Sequence, residues 1–501
     1  MVMFIFFHRI HIFGKMENEH KILRALYDQN EWWSTSKVPD ALLKTFRRRD
    51  FYVLKDALLE KKITAIVGPR QVGKTSTMYQ LIDDLITQKV NPNRILYISF
   101  DYPYLTTITE TPLNDVMEAY SSQILREPVQ KLKGAIYVFL DEVCKLKDWS
   151  RILKGWHDLK YPIKFIVSDS SSADILKGSS ESLVGRIDTH IMLSMKFVDL
   201  INYKEGGDAI NHISIDLRNM IGMSIKESNP EKFYAALKES YANLIPHEDS
   251  IKIYLQDYLL KDGYPELLDE DSTEICSKRL REYINLTLYK DIMRVFDIHD
   301  PKALENLVTR IADETAQRME YANLSSELSI KEDTLKKYLN CLESAFMVSR
   351  SEFYSRNRAS RIRKARKIYL SNVGLRNALV GQLNRDLLND SAELGRIAET
   401  LVYEHCKRLK YCLEPGSNAE IFYWKNKKGE EVDIVMEIAR RPIPIEVKYR
   451  KKIDNEDLKG INEFLEKYQK TCLFGIVITK DLLEMRGKLI FVPLWLFLMA
   501  C

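Results

Sequence analysis

The chain has 501 residues, of which 45% are hydrophobic and 29% charged, with a formal net charge of +4. That length exceeds one hydrophobic core and implies about three domains, and the composition excludes a disordered or fibrous protein. So small a net charge gives no argument for nucleic acid, which must rest on where the charges sit.

Met1–Phe13 is apolar but is broken by His8, Arg9 and His11 with no small-residue cleavage site after it. It does not read as a signal peptide, and Met16 reads as an alternative start. Seven cysteines (Cys144, Cys276, Cys341, Cys406, Cys412, Cys472, Cys501) show no C-x-x-C spacing. Zinc ribbons and a disulfide framework are thereby excluded, and a reducing, cytoplasmic compartment is the simplest expectation. Residues 1–60 read as an N-terminal extension and lead-in.

Residues 61–204 change character. Apolar β-branched runs at Ile63–Val67, Ile95–Phe100, Ile136–Leu140 and Lys164–Val167 alternate with helix-length segments, which predicts a parallel α/β sheet covered on both faces. The first run leads into Gly68-Pro69-Arg70-Gln71-Val72-Gly73-Lys74-Thr75, which fits G-x-x-x-x-G-K-[ST], with Ser76 opening an amphipathic helix to Ile86. In such a loop Gly73 lets the backbone N–H groups turn toward phosphates and the helix N-terminus adds a favourable dipole. Lys74 neutralises the β- and γ-phosphates, and the Thr75 hydroxyl ligates Mg²⁺. The third run ends in Asp141-Glu142; Asp141 is expected to hold Mg²⁺ and Glu142 to polarise the attacking water. Ser168, ending the fourth run, is the candidate polar sensor. Arg186 is a candidate cation for transition-state charge, in its own subunit or a neighbour. The expected cofactors are therefore a nucleoside triphosphate and Mg²⁺, with ATP and GTP not distinguished by these residues.

Residues 205–300 have helical periodicity, with a break at Asp262-Gly263 and Pro265, and read as a helical lid. In 301–385, two short helices are expected around Leu324–Leu328 and over Lys331–Ser344. Leu335, Leu339 and Leu342 of the second would face a core, leaving Lys331, Lys336 and Lys337 outward, the layout of a helix-turn-helix with a recognition helix. Arg350, Arg356, Arg358, Arg361, Arg363, Lys364, Arg366 and Lys367 follow with only Glu352 opposing them. Arg356, Arg358, Arg361, Arg363, Lys364 and Arg366 are the candidate DNA contacts of a wing on a phosphate backbone. The alternative for both features is a protein-docking surface.

Residues 386–501 return to α/β character. Ile421–Lys425, a turn at Asn426–Gly429, and Val432–Met436 read as a hairpin, and Ile443–Tyr449 as a third strand after an Arg440-Arg441-Pro442 turn. With Glu399 on a helix Ala392–Leu409, Asp433 in the second strand and Glu446-Val-Lys448 in the third, the segment resembles the E…D…E-x-K pattern of PD-(D/E)xK nucleases. That resemblance implies Asp433, Glu446 and Glu399 as Mg²⁺ ligands and Lys448 orienting the nucleophile or steadying the pentacovalent charge. The apolar tail Leu489–Cys501 is about half the length that spans a bilayer and contains Pro493, so a buried last element is expected and no membrane partner.

Taken together, Trp32-Trp33, Lys37-Val-Pro39, GPRQVGKT, YVFLDEV, SDSSSADILKGSSESLVGR, Tyr258–Glu266 and Gly395–Glu399 resemble the archaeal and bacterial AAA+-type P-loop ATPases with a C-terminal DUF4143 domain. The resemblance implies an AAA+-like core, a helical lid, a winged helix and ATP as the nucleotide, and no particular physiological substrate. Similar proteins read T-G-S where this chain has Ser168-Asp169-Ser170. Two activities are open: an ATPase working on DNA, with cleavage by the C-terminal domain, or a nucleotide-dependent switch that recruits a protein partner or further copies of itself.

Overall fold

A computed structural model describes residues 18–500, apart from 103, 104, 106–108, 110, 171–182, 207, 294, 295, 297, 358–360, 362, 363 and 415–419. The expectations for Met1–Phe13, Met16, Arg358, Arg363 and Cys501 lie outside the described residues. The chain divides into two compact units that meet in sequence at Leu193/Ser194, earlier than the 204/205 boundary expected.

The first unit holds a sheet of β1 (Ile63–Val67), β2 (Ile95–Ser99), β3 (Ile136–Asp141), β4 (Ile163–Asp169) and β5 (Ile187–Ile191), ordered β2-β3-β4-β1-β5 and all parallel. β1 is buried throughout, as a strand covered on both faces must be. Helices α1 (Arg49–Ala57), α2 (Lys74–Thr87), α3 (Pro112–Ala119) and α4 (Trp149–Asp158) belong to the same unit. Sequence reading misses β5, an edge strand whose Ile-Asp-Thr-His-Ile alternation leaves it only partly buried. The lead-in attaches to the opposite edge. Trp32 and Trp33 both donate their indole N–H to Ile95 O, at 3.1 and 2.8 Å, and Asn30 donates to Tyr97 O and accepts from Tyr97 N. These side chains partner the backbone of edge strand β2.

The second unit begins with helices α5 (Phe197–Glu205), α6 (Asp208–Glu227), α7 (Pro230–Leu244), α8 (Glu248–Lys261) and α9 (Thr273–Asn285). There follow α10 (Pro301–Asp313), β6 (Gln317–Met319), α11 (Tyr321–Glu327), α12 (Glu332–Ser344), β7 (Val348–Phe353) and β8 (Arg366–Leu370). In α12 Leu335, Leu339 and Leu342 are buried, while Lys331 before it and Lys336 and Lys337 within it are exposed. Next come α13 (Val373–Leu379), α14 (Ser391–Leu413), β9 (Ile421–Lys425), β10 (Glu431–Ile438), β11 (Arg441–Val447), α15 (Lys459–Lys467), β12 (Gly475–Thr479), β13 (Glu484–Arg486), β14 (Leu489–Pro493) and α16 (Leu494–Met499).

The sheet crosses the boundary expected at 385/386. Its order is β13-β14-β12-β11-β10-β9-β7-β8-β6, because β7 pairs in parallel with β9 through Glu352↔Phe422 and Phe353↔Tyr423. The third strand also starts earlier than expected. Ile438 pairs with Arg441, so the turn is the two residues Ala439 and Arg440, both at positive φ (50° and 61°), and Lys448 lies just past the strand end. Two central residues at positive φ are what a tight hairpin turn needs. The tail forms β14 and α16, both buried. Among the described residues no helix is long and apolar enough to cross a membrane.

Candidate functional site

The loop Gly68–Gly73 leaves β1 at the carboxyl edge of the parallel sheet. Gly68 is required there, since a Cβ would lie 1.8 Å from Met192 O, on the chain leaving β5. Gln71 (φ 62°) and Gly73 (φ 98°) turn the loop, and Thr77 N donates to Gly73 O as α2 begins. Val72 and Lys74 are buried, Pro69, Arg70, Gly73 and Ser76 are half-buried, and Gln71 and Thr75 are exposed. The Lys74 ammonium donates to Gly68 O at 2.7 Å and Pro69 O at 2.9 Å, folded over the loop where phosphate oxygens would otherwise take its protons.

β4 runs between β1 and β3, which puts Ser168 between the loop and the acids ending β3. Asp141, 4% exposed, accepts from Thr75 Oγ1 at 2.7 Å, Tyr97 OH at 2.9 Å and Ser168 Oγ. These three donors are neutral hydroxyls and bring no positive charge to the carboxyl, and the Thr75 hydroxyl meets it at the loop. The pair therefore fits Mg²⁺: Thr75 and Asp141 would hold the ion. Glu142 takes left-handed backbone geometry (φ 54°, ψ 45°), its N–H donates to Ser168 Oγ at 3.1 Å, and Ser170 Oγ lies 3.5 Å from its Oε2. Burial pushes the Glu142 carboxyl up to about 7, with Lys74 working against it and Asp169 and Asp141 with it. A carboxyl near neutrality is matched to taking a proton from water.

Arg186 is not part of this assembly. Its carbonyl accepts from Ile63 N at the start of β1, so it stands at the amino end of the sheet, about 16 Å from the loop at ~3.3 Å per residue. There its guanidinium grips Asp158 with two bonds, of 2.6 and 3.2 Å. The expected action of Arg186 within its own site is corrected by this placement. Two other residues were missed. Tyr97 lies in an apolar strand run with nothing to mark its hydroxyl. Arg48, 7% exposed, donates to Val72 O and Leu193 O, both at 2.9 Å, and so ties the loop to the exit of β5. Asp50 pairs with Arg48 and with His190 of β5. In sequence Arg47-Arg48-Arg49 looks like surface charge.

A second cluster lies in the C-terminal sheet. The structure brings Glu399, Asp433, Glu446 and Lys448 together, and adds Glu431 and Lys367, which the pattern did not contain. Lys367 Nζ lies 2.9 Å from Glu399 Oε1, 2.9 Å from Glu431 Oε1 and 3.3 Å from Asp433 Oδ1. Tyr369 OH donates to Glu399 Oε1, Val447 N donates to Asp433 Oδ2, and Lys448 pairs with Glu446. Burial pushes Glu399 up to about 7 and Glu446, helped by the Asp433 charge, up to about 8. Burial also opposes ionisation of Asp433, but Lys367 and Lys448 outweigh it and hold that carboxyl below its usual range. Among the described residues no group of three or more His, Cys, Asp or Glu is placed to hold a metal ion. The residues present do not fit the Mg²⁺ expected here, because the Lys367 ammonium stands where Glu399 and Asp433 converge.

The basic segment is less exposed than its sequence suggests. Arg361 lies 4.6 Å from the centroid of the Phe422 ring and donates to Ser355 O. Arg366 pairs with Glu352, and Arg350 with Glu343. Arg356 and Lys364 are exposed. The expectation that only Glu352 opposes these cations is thus corrected.

Comparison with known proteins places these elements in families. Residues 60–201 match the model of an AAA domain (AAA_14), 253–386 a domain of unknown function (DUF8612), and 394–497 a domain of unknown function (DUF4143). An uncharacterized protein of Methanocaldococcus jannaschii is 24% identical over 385 residues, 76% of this chain and 73% of that one. One of Haemophilus influenzae is 21% identical over 426 residues, 82% of this chain and 89% of that one. Among solved structures, the Aeropyrum pernix ORC1 protein in complex with DNA covers 69% of this chain and 95% of its own, at 12% identity and a TM-score of 0.30. So distant a likeness carries no inference. The chain carries an AAA-type P-loop ATPase domain and a C-terminal DUF4143 domain.

Proposed function

We propose that this ATPase domain hydrolyses ATP with Mg²⁺ and that the cycle switches a binding surface carried by the rest of the chain, in a reducing cytoplasmic setting. The observation that carries the chemistry is the meeting of Thr75, Ser168 and Tyr97 on Asp141, with Glu142 next in the chain at the loop that Lys74 closes. The loop N–H groups and Lys74 receive the β- and γ-phosphates. Thr75 and Asp141 would hold Mg²⁺, which would supply charge neutralisation at the phosphates. Ser168 fixes the Asp141 side chain and the Glu142 backbone, and Glu142 takes the proton of the attacking water.

Mg²⁺-dependent phosphate release measures this directly. Lys74→Ala should abolish turnover and weaken nucleotide binding. Glu142→Gln should keep binding while turnover falls about 10²–10⁴-fold, the range of one general base. Turnover of Glu142→Gln at the wild-type rate would overturn the assignment of the base.

A second reading, that the switched surface binds duplex DNA, is favoured by one observation. The order helix, strand, helix, helix, strand, strand over 301–370 is that of a winged helix, and its third helix, α12, exposes Lys336 and Lys337. Binding that weakens steeply with salt, and less steeply after Lys337→Ala, supports DNA; binding indifferent to salt leaves a protein partner.

A further inference from the structure

Lys367 belongs by sequence to the basic run of a wing, yet it is 2% exposed. Its ammonium is turned into carboxylates from α14 (Glu399) and β10 (Glu431 and Asp433). A helix and a hairpin converging three carboxylates on one cation is how a hard divalent ion is held. Here the cation is the ammonium, at 2.9–3.3 Å from the three oxygens.

The carboxyl groups also have cationic partners without a metal. Glu431 meets Arg318 and Lys425, each at 3.4 Å, and Glu446 meets Lys448. Four carboxylates (Glu399, Glu431, Asp433, Glu446) thus face four cationic side chains (Lys367, Lys448, Lys425, Arg318). A divalent ion would enter a network that already has a cationic side chain for each carboxyl group and would have to expel a buried ammonium, leaving it without partners.

We propose that Lys367 is the resident cation of this cluster, a tethered ammonium in place of a divalent ion, so that the domain takes no metal at Glu399, Asp433 and Glu446 and cuts no phosphodiester bond. Lys367 is itself what excludes the metal, and its removal opens the site. This does not depend on the ATPase reading.

The test is Mn²⁺ binding by the full chain without nucleotide, read by electron paramagnetic resonance, in an Asp141→Ala background that removes the nucleotide-site carboxylate. That protein should bind no Mn²⁺ at millimolar concentration. Adding Lys367→Ala should create one site, and adding Asp433→Asn as well should abolish it. One equivalent of Mn²⁺ bound with Lys367 in place, and lost with Asp433→Asn, would overturn the proposal. So would a folded Lys367→Ala protein that takes no Mn²⁺. Should Lys367→Ala fail to fold, the intact chain still decides with labelled DNA and Mn²⁺. Absence of cleavage is expected, and cleavage abolished by Glu446→Gln would overturn the proposal.

Discussion

Gly68 and Gly155 show how differently two glycines of one unit are used. A Cβ at Gly68 meets Met192 O at 1.8 Å, whereas one at Gly155, inside α4, meets nothing within 4 Å. Gly68→Ala should cost about 1–3 kcal/mol, the usual range for overpacking, and weaken ADP binding by displacing the loop. Gly155→Ala should instead stabilise by roughly 0.5–1 kcal/mol, since it removes backbone freedom from the unfolded chain at a helical position. Urea unfolding and ADP titration of both variants check the contrast; equal effects would remove the steric argument. Lys164 adds a pH test. Its ammonium donates to Glu60 O and Lys62 O, and burial pushes its pKa down to about 8. The unfolded chain holds that proton to about pH 10.4, so between the two values the unfolded state binds more protons and stability rises with pH. The unfolding free energy of wild type minus that of Lys164→Met should therefore climb from about pH 8 to pH 10; a flat difference would contradict it. At this scale the sequence was readable where chemistry is local. Lys74, Thr75 and Asp141 are marked by their own neighbours, while the partners that define Arg48, Tyr97 and Lys367 lie far along the chain.

Among elements, the end of α8 has the most at stake. Asp262 (φ 58°, ψ −156°) accepts from Gly263 N and Ser194 Oγ through Oδ1 and from Val373 N, at the start of α13, through Oδ2. A Cβ on Gly263 would lie 2.0 Å from Met195 O, and one on Gly374 would lie 2.4 Å from Lys261 O. Asn377 of α13 donates to Leu259 O and Leu260 O. Asp262-Gly263 reads in sequence as loop punctuation, but it is a junction of three backbone segments packed without room for side chains. Asp262→Ala leaves two buried N–H groups, of Gly263 and Val373, and the Ser194 hydroxyl without this acceptor, each worth about 1–3 kcal/mol. A loss of about 3 kcal/mol or more in the second unit is expected by urea unfolding; Asp262→Asn, which keeps an acceptor, should lose less. Helices α11 and α12 were readable within a few residues because their apolar period is internal to them. β5 and the β11 turn were not, since partners across the sheet decide both.

For the whole molecule, the consequential fact is that sheet and family boundaries disagree. The DUF8612 match ends at 386, between α13 and α14, and the DUF4143 match begins at 394, in the first turn of α14. A fragment cut there loses β7 from the side of β9, exposing an apolar strand edge open to pairing with other chains. It also loses Tyr354, whose ring is buried among Phe422, Trp424 and Phe464 and whose hydroxyl donates to Glu437. Finally it loses Lys367, leaving Glu399 and Asp433 buried without that ammonium, the costly way to break an ion pair. A fragment 386–501 should therefore be aggregated or unfolded, although its own sequence carries every residue of the nuclease-like pattern. A fragment 194–501 keeps the sheet, the Asp262 junction and Lys367, and should be monodisperse with a cooperative melt. Size-exclusion chromatography and circular dichroism of the two distinguish these outcomes. A well-folded 386–501 would mean that the β7–β9 pairing and the Lys367 network contribute little to stability. In that case the two matched families would be separable domains, and the single sheet a matter of adjacency alone.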